Sequence, residues 1–292
     1  MALRGVKPTT VPKRMKALFF GAAGVGKTTA AIQFPKPYLI DTERGSTNDE
    51  YVEMLNRSGG SYFFSADFDE VLTEISSLLT EEHEYKTVII DPLTIIYNDL
   101  CDKSAKALAS AEDPTGTAFS RHKGPADRKL KHLLNLLLRL DMNVIITSHA
   151  KNEWANGKPT GTDTFDCYAK LDYLFDLVFN IQKRGKERFG IVRKTRVAGF
   201  PDGETFPFTY DEIADRYGRE ILERKAVAEV LASPEQVGEL TRLIELLKVP
   251  ETTVDKWLDK ANAEAIKELP QSVAQKCIDH LNQQVRGESA AA

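Results

Sequence analysis

No apolar run in the 292-residue sequence approaches the roughly 20 residues that a membrane-spanning helix needs, so no membrane partner is expected. The chain does not open on a basic-then-apolar leader with a small-residue cleavage site, so secretion is not expected either. Cysteine is scarce. Cys101, Cys167 and Cys277 lie far apart, with no Cys-x-x-Cys or Cys/His ligand spacing. That spacing excludes a disulfide framework and a zinc site and reads as reduced thiols in a cytoplasmic protein. A large charge of one sign is also missing. The formal net charge of −4 excludes a uniformly basic nucleic-acid coat while leaving room for a local basic patch. No internal repeat is visible.

Hydrophobic residues make up 42% of the chain, enough for a real core. At about 150 residues per domain, the length implies one large domain and a smaller one. Residues 1–14, with Pro8 and Pro12 among basic residues, read as an extended arm. Over 15–210, short apolar runs alternate with longer helical stretches. Met15–Phe20, Pro37–Ile40, Thr87–Ile90 and Asn143–Thr147 do not alternate in polarity, as suits central strands of a parallel sheet covered on both faces. Between the last two, Leu130, Leu133, Leu134, Leu137 and Leu138 recur at helical spacing. Strands alternating with helices predict an α/β fold with a mainly parallel sheet. Leu177–Ile181 and Phe189–Lys194, joined by Lys183-Arg184-Gly185-Lys186, predict an antiparallel hairpin at the sheet edge, with a further short strand at Phe206–Phe208.

From Ser233 the pattern becomes purely helical. Ser233-Pro234-Glu235-Gln236 has a capping box with proline at the first helical position. Four helices are expected, marked by Val237 to Leu247, Val254 to Leu258, Ala265 to Leu269 and Val273 to Leu281. The expected organisation is a core with its connecting segment over 15–232, a helical module over 233–286 and a disordered tail over 287–292.

The chemistry starts at Gly21-Ala22-Ala23-Gly24-Val25-Gly26-Lys27-Thr28, followed by Thr29. This Gly-x4-Gly-Lys-Thr pattern follows an apolar strand and opens a helical run, the context a phosphate-binding loop requires. Glycines let the backbone turn so that N–H groups converge on phosphate oxygens. Lys27 is expected on the β- and γ-phosphates of ATP, and Thr28 on Mg2+. Asp91 ends the strand Val88-Ile89-Ile90, where an acid holding the magnesium shell is expected. The next residues are Pro92-Leu93-Thr94, so no general base follows that acid directly. Glu43, just past the second strand, is the nearest candidate to orient the attacking water. Asp41 reads as the residue that fixes the turn. His149, at the end of Ile145-Ile146-Thr147-Ser148, reads as a γ-phosphate sensor.

The ordered set of the phosphate loop, Ile40-Asp41-Thr42-Glu43, Val88-Ile89-Ile90-Asp91 and Ile145-Ile146-Thr147-Ser148-His149 resembles the RecA/RadA recombinase core. More closely, the chain resembles phage-encoded, RecA-like annealing ATPases of the Sak type, over about 15–210. The resemblance implies a RecA-like P-loop fold with Glu43 as the catalytic glutamate. His149 stands where such proteins usually carry a glutamine sensor. Lys194 and Arg196 resemble the paired cations that reach the ATP of a neighbouring protomer, implying a ring or filament of identical subunits with shared sites. Two mobile DNA loops are also implied. In the first, over 102–132, basic residues outnumber acids, and Arg121, Lys123 and Arg128 are candidate phosphate contacts. In the second, Lys151 to Phe165, Lys151, Trp154, Lys158 and Phe165 mix cations with aromatics that can stack on bases. The implied activity is ATP-dependent binding and annealing of single-stranded DNA, in the host cytoplasm if phage-encoded. A single-strand-binding protein is a candidate partner of the helical module. Two other readings stand beside it: an ATPase loading or driving a protein such as a helicase, and a nucleotide-gated binding module with little hydrolysis.

Overall fold

A computed structural model describes residues 13–45 and 49–291, with side chains up to 285. The expected N-terminal arm lies almost wholly outside the described residues. The strands are β1 (Lys16–Gly21), β2 (Pro37–Asp41), β3 (Ser61–Phe64), β4 (Thr87–Asp91), β5 (Asn143–Ala155), β6 (Lys158–Phe165), β7 (Leu177–Arg184), β8 (Glu187–Thr195) and β9 (Thr205–Pro207). The helices are α1 (Lys27–Ala31), α2 (Asp49–Ser58), α3 (Phe68–Thr80), α4 (Leu93–Leu108), α5 (Lys123–Arg139), α6 (Leu171–Leu174), α7 (Tyr210–Tyr217), α8 (Arg219–Leu222), α9 (Pro234–Leu246), α10 (Glu251–Ala261) and α11 (Gln271–Ala291).

One compact unit comprises residues up to 64, 85–94 and 142–225, and carries the whole sheet. Its strand order is β3-β2-β4-β5-β1-β7-β8-β9, with β6 paired to β5. The β3-to-β7 portion is parallel throughout, while β5–β6, β7–β8 and β8–β9 are antiparallel. This is a mainly parallel α/β sheet, as the sequence pattern predicts. The β7–β8 hairpin forms across Lys183–Lys186, where a turn was expected. Every residue of β1 and β4 is buried, which is why their sequences run apolar without alternation. Phe19, Phe34, Phe179, Phe200, Phe206 and Phe208 pack together in the core of this unit, Phe19 meeting Phe208 edge-on with ring centroids 5.0 Å apart.

Three features depart from the sequence reading. β3 is a strand the hydrophobic pattern does not announce, because it has only four residues and none is fully buried. Its pairing with β2, Tyr38 opposite Ser61 through Asp41 opposite Phe64, makes it a strand. The expected mobile loop from Lys151 to Phe165 is a β-hairpin. Asn156 and Gly157 take positive φ values of 52° and 74°, which turns the chain back between β5 and β6. The segment 211–232, read as a connector, includes α7 and α8, with Thr209 capping α7 by accepting from Glu212 N–H.

The second unit comprises 65–84, 95–141 and 226–292. It groups α3, most of α4 and α5 with the C-terminal helices. Asp67 caps α3 by accepting from the N–H groups of Asp69 and Glu70. Leu130, Leu133, Leu134 and Leu137 form the buried stripe of α5. The Ser233/Gln236 capping box forms at α9, and Leu240, Leu243, Ala274 and Leu281 centre the C-terminal core. The expected helix at Ala265–Leu269 shrinks to a single 3-10 turn at Ile266–Glu268. Pro270 follows it, and Leu269 C=O accepts from Ala232 N–H, which draws this stretch into an extended bridge. α11 runs on to Ala291, through the stretch expected to be disordered.

Candidate functional site

Sheet register assembles the site. Asp41 of β2 lies opposite Asp91 of β4, Ile90 opposite Ile146 of β5, and Gly21 of β1 opposite His149 of β5. β1, β2 and β4 end on this edge, and β5, which was expected to end near His149, runs past it as far as Ala155, so four segments far apart in sequence meet in one place. A cavity of about 300 Å3 there is lined by Ala23, Gly24, Lys27, Thr28, Asp41, Glu43, Gly45, Tyr51, Asp91, Pro92 and His149.

The phosphate loop has the backbone its glycines allow. Gly24 and Gly26 adopt φ of 74° and 93°, a region that disfavours any side chain. Gly26 thereby starts α1, and Lys27 and Thr28 enter the first turn. Lys27 Nζ donates to the carbonyls of Gly21 and Ala22, both at 3.0 Å. Burial pushes its ammonium below the usual lysine range, while Asp91 and Glu43 pull the other way. An ammonium held over the loop by two carbonyls is placed to exchange them for phosphate oxygens.

Thr28 Oγ1 donates to Asp91 Oδ2 at 2.5 Å, and the Thr147 hydroxyl donates to Asp91 Oδ1. Burial raises the Asp91 carboxyl, and the two hydroxyls oppose that shift. Magnesium prefers hard oxygen donors and binds through one or two protein oxygens together with substrate phosphates. A threonine hydroxyl and a carboxylate in direct contact beside a phosphate loop fit that requirement. No cluster of three or more His, Cys, Asp or Glu suited to a metal occurs among the described residues.

Glu43 is set by its neighbours. Asp41 accepts from Glu43 N–H at 3.0 Å, the turn-fixing role expected of it. Thr42 N–H donates to Asp91 C=O at 3.0 Å and its hydroxyl to Pro92 C=O at 2.9 Å, tying the end of β2 to the end of β4. The Glu43 carboxylate then meets His149, with Oε1 3.0 Å from Nε2. Both side chains are about half exposed at the cavity mouth. His149 N–H in turn donates to Thr94 Oγ1 at 3.1 Å. Sequence reasoning missed Thr147 and Thr42. Threonines near strand ends are common, and only register shows which face a buried carboxylate.

The two expected trans-acting cations are engaged within their own chain. Lys194 Nζ donates to Asp172 C=O at 2.9 Å and to Phe175 C=O, bracing the end of α6. Arg196 donates to Tyr173 C=O at 2.7 Å and pairs with Asp176 at 3.3 Å, yet remains half exposed.

The candidate DNA-contacting residues fall on two elements. On the β5–β6 hairpin, Lys151, Trp154 and Lys158 are exposed, Trp154 to 63%, whereas Phe165 is buried against Phe20 and offers no face to a base. Lys151 pairs with Asp166 at 3.0 Å, and Arg193 of β8 pairs with Glu153 at 3.2 Å. In the helical unit, the segment between α4 and α5 is organised by Asp113, which accepts from Ala118 N–H at 3.0 Å and Arg121 at 3.1 Å. The Ala118 N–H above all, with Arg121 and Thr115, holds that carboxyl below the usual range. Lys123 and Arg128 are exposed on α5 rather than in a mobile loop. Phe119, at a positive φ of 51°, is fully exposed beside them, and the sequence reading passed it over. No helix among the described residues is long and apolar enough to cross a membrane.

A family model described as "AAA domain" matches residues 13–207, about two thirds of the chain and all nine strands. No curated protein matches the sequence. Among solved structures, one described as the RadB recombinase aligns over 65% of this chain and 84% of its own, at 19% identity and a TM-score of 0.46.

Proposed function

The chain belongs to the AAA domain family, and on that premise we propose that it is a magnesium-dependent ATPase that binds single-stranded DNA and promotes pairing or annealing of complementary strands. The observation that carries this reading is the path of β5. One strand holds Thr147 against Asp91 and His149 against Glu43, then continues as the hairpin that exposes Lys151 and Trp154. From His149 to Trp154 is about 17 Å at ~3.4 Å per residue. A change at the phosphate end therefore has a short, hydrogen-bonded route to the hairpin.

In this reading the loop from Gly21 to Thr29 cradles the triphosphate, and Lys27 moves from the Gly21 and Ala22 carbonyls onto phosphate oxygens. Thr28 and Asp91 would hold magnesium, which would supply positive charge against the phosphates. Glu43 orients and deprotonates the attacking water. His149 holds Glu43 in place and reports the γ-phosphate by changing partner. Arg196 is the better candidate to complete a neighbour's site, because Lys194 is spent on two backbone carbonyls. The assembly is then a ring or filament of identical subunits with ATP between them. Trp154 and Phe119 offer stacking faces, and Lys151, Lys158, Arg121, Lys123 and Arg128 supply phosphate contacts. The Sak-type phage assignment, a cytoplasmic site of action and a single-strand-binding protein as partner of the C-terminal helices belong to the same proposal.

The decisive experiment measures ATPase rate with and without single-stranded DNA, and strand annealing with ATP, ADP and no nucleotide. Hydrolysis should rise with DNA, and annealing should depend on nucleotide state. An ATPase indifferent to DNA would instead favour work on a protein partner, and annealing indifferent to nucleotide would remove the coupling.

A further inference from the structure

The C-terminal helices leave a cavity that the proposed ATPase chemistry does not use. α10 presents Trp257, Lys260 and Ala261 at the i, i+3, i+4 spacing of one helix face. α11 presents Val273, Lys276, Cys277 and His280 in the same way, and the two faces enclose about 330 Å3. That volume falls in the range of small-ligand pockets, roughly 300–1,000 Å3. Its origin is local. Asn262 takes a left-handed φ of 51°, which ends α10 directly after Ala261. Ala261 and Val273 are small, so they leave space unfilled beside the core centred on Ala274 and Leu281.

The cavity joins an apolar wall to a rim of one charge sign. Cys277 is buried in the wall, while Trp257, Ala261 and Val273 are only partly buried. Lys260, Lys276 and His280 are exposed at the rim, and no carboxylate lines the space. Neither lysine makes an ion pair among the described residues. On α9, by contrast, Arg242 pairs with Glu239 at 2.8 Å. Acids outnumber bases from Ser233 to Arg286, so these two cations reverse the charge of their surroundings. A long polyanion such as nucleic acid meets repulsion over the rest of that surface. A short segment bringing one or two carboxylates does not. An exposed ion pair contributes little by itself, so binding here also needs an apolar group removed from water in the cavity.

We propose that the α10–α11 cavity docks a short acidic segment of a partner protein. One apolar side chain of that segment sits against Trp257, Ala261 and Val273, and its flanking carboxylates meet Lys260 and Lys276. The apolar contact supplies affinity, and the two lysines select the sign of the partner's charge and set its register. None of these residues belongs to the proposed ATPase chemistry, so the two readings stand or fall separately.

The test uses the full chain without nucleotide or DNA, on an array of hexapeptides with Asp or Glu at most positions and a single Phe, Trp, Leu, Ile or Met. Control arrays replace the acids with Lys, or the apolar residue with Ser. The tightest acidic peptide is labelled with fluorescein and its dissociation constant measured by anisotropy. Lys260→Glu combined with Lys276→Glu should weaken it by about tenfold or more. Lys260→Arg combined with Lys276→Arg should stay within about threefold of the unsubstituted chain. Ala261→Phe, which fills the cavity, should weaken it as the charge reversal does. Circular dichroism checks that each variant is folded, and the charge-reversal variant should keep its ATPase rate. Absence of binding to any acidic peptide would overturn the proposal. So would binding that survives both the reversal and the filling in folded protein. Two further results would reassign the cavity and overturn it equally. One is a charge reversal that weakens a labelled oligothymidylate but no peptide. The other is a reversal that changes only the sedimentation coefficient, which would give the cavity to a second copy of this chain.

Discussion

Glu43 and His149 meet across the mouth of the phosphate site, carboxylate oxygen to imidazole nitrogen at 3.0 Å, although more than a hundred residues separate them in the chain. Glu43 follows the end of β2 and His149 lies within β5, and β4 lies between those two strands in the sheet. The contact links the residue proposed to activate water with the strand that continues into the exposed hairpin.

Substituting Glu43 with Gln should leave ATP binding intact and lower kcat by about 10²–10⁴-fold, the usual worth of a positioned base. His149→Ala should lower kcat less, and the double variant should fall well short of the product of the two effects, because the residues act together. Single-turnover hydrolysis with radiolabelled ATP reads this directly. Normal turnover in the Glu43 variant would remove it as the base.

Lys27→Ala should abolish ATP binding, since no other lysine lines the cavity. Calorimetric titration checks it, and retained micromolar binding would contradict the assignment.

Thr147→Val keeps the shape of a fully buried side chain and deletes the hydroxyl that donates to Asp91. Leaving a buried carboxylate short of one partner should cost about 1–3 kcal/mol of stability. It should also raise the magnesium concentration needed for half-maximal ATPase. Urea unfolding and a magnesium titration measure the two effects separately.

Trp154→Ala should weaken single-stranded DNA by about 1–3 kcal/mol, the worth of one stacked base. Quenching of Trp154 fluorescence on titration with oligonucleotide gives an independent signal, since the other tryptophan, Trp257, lies in the C-terminal helices. Phe119→Ala tests the second element in the same way.

Ser233→Ala removes one half of a formed capping box and should destabilise the helical unit by about 1 kcal/mol. A lowered urea midpoint for the helical signal would show it.

What the residues by themselves determined is what depends on neighbours in sequence. The Gly-x4-Gly-Lys-Thr loop, the acid ending Val88-Ile89-Ile90, the turn-fixing Asp41 and the Ser233 capping box follow from local backbone chemistry, and each forms as read. The mainly parallel sheet was legible for a similar reason, since strands buried on both faces must be apolar throughout. Tertiary structure alone decided the rest. β3 exists because β2 pairs with it, and the short helix before Pro270 gave way to a bridge with the segment ahead of Ser233. The partnership of Glu43 with His149 and the hydroxyl of Thr147 on Asp91 each join segments far apart in the chain. Such contacts depend on strand order and register. Hydrophobic pattern says which strands are buried, but it does not say which lie side by side or which of their last residues come to face each other.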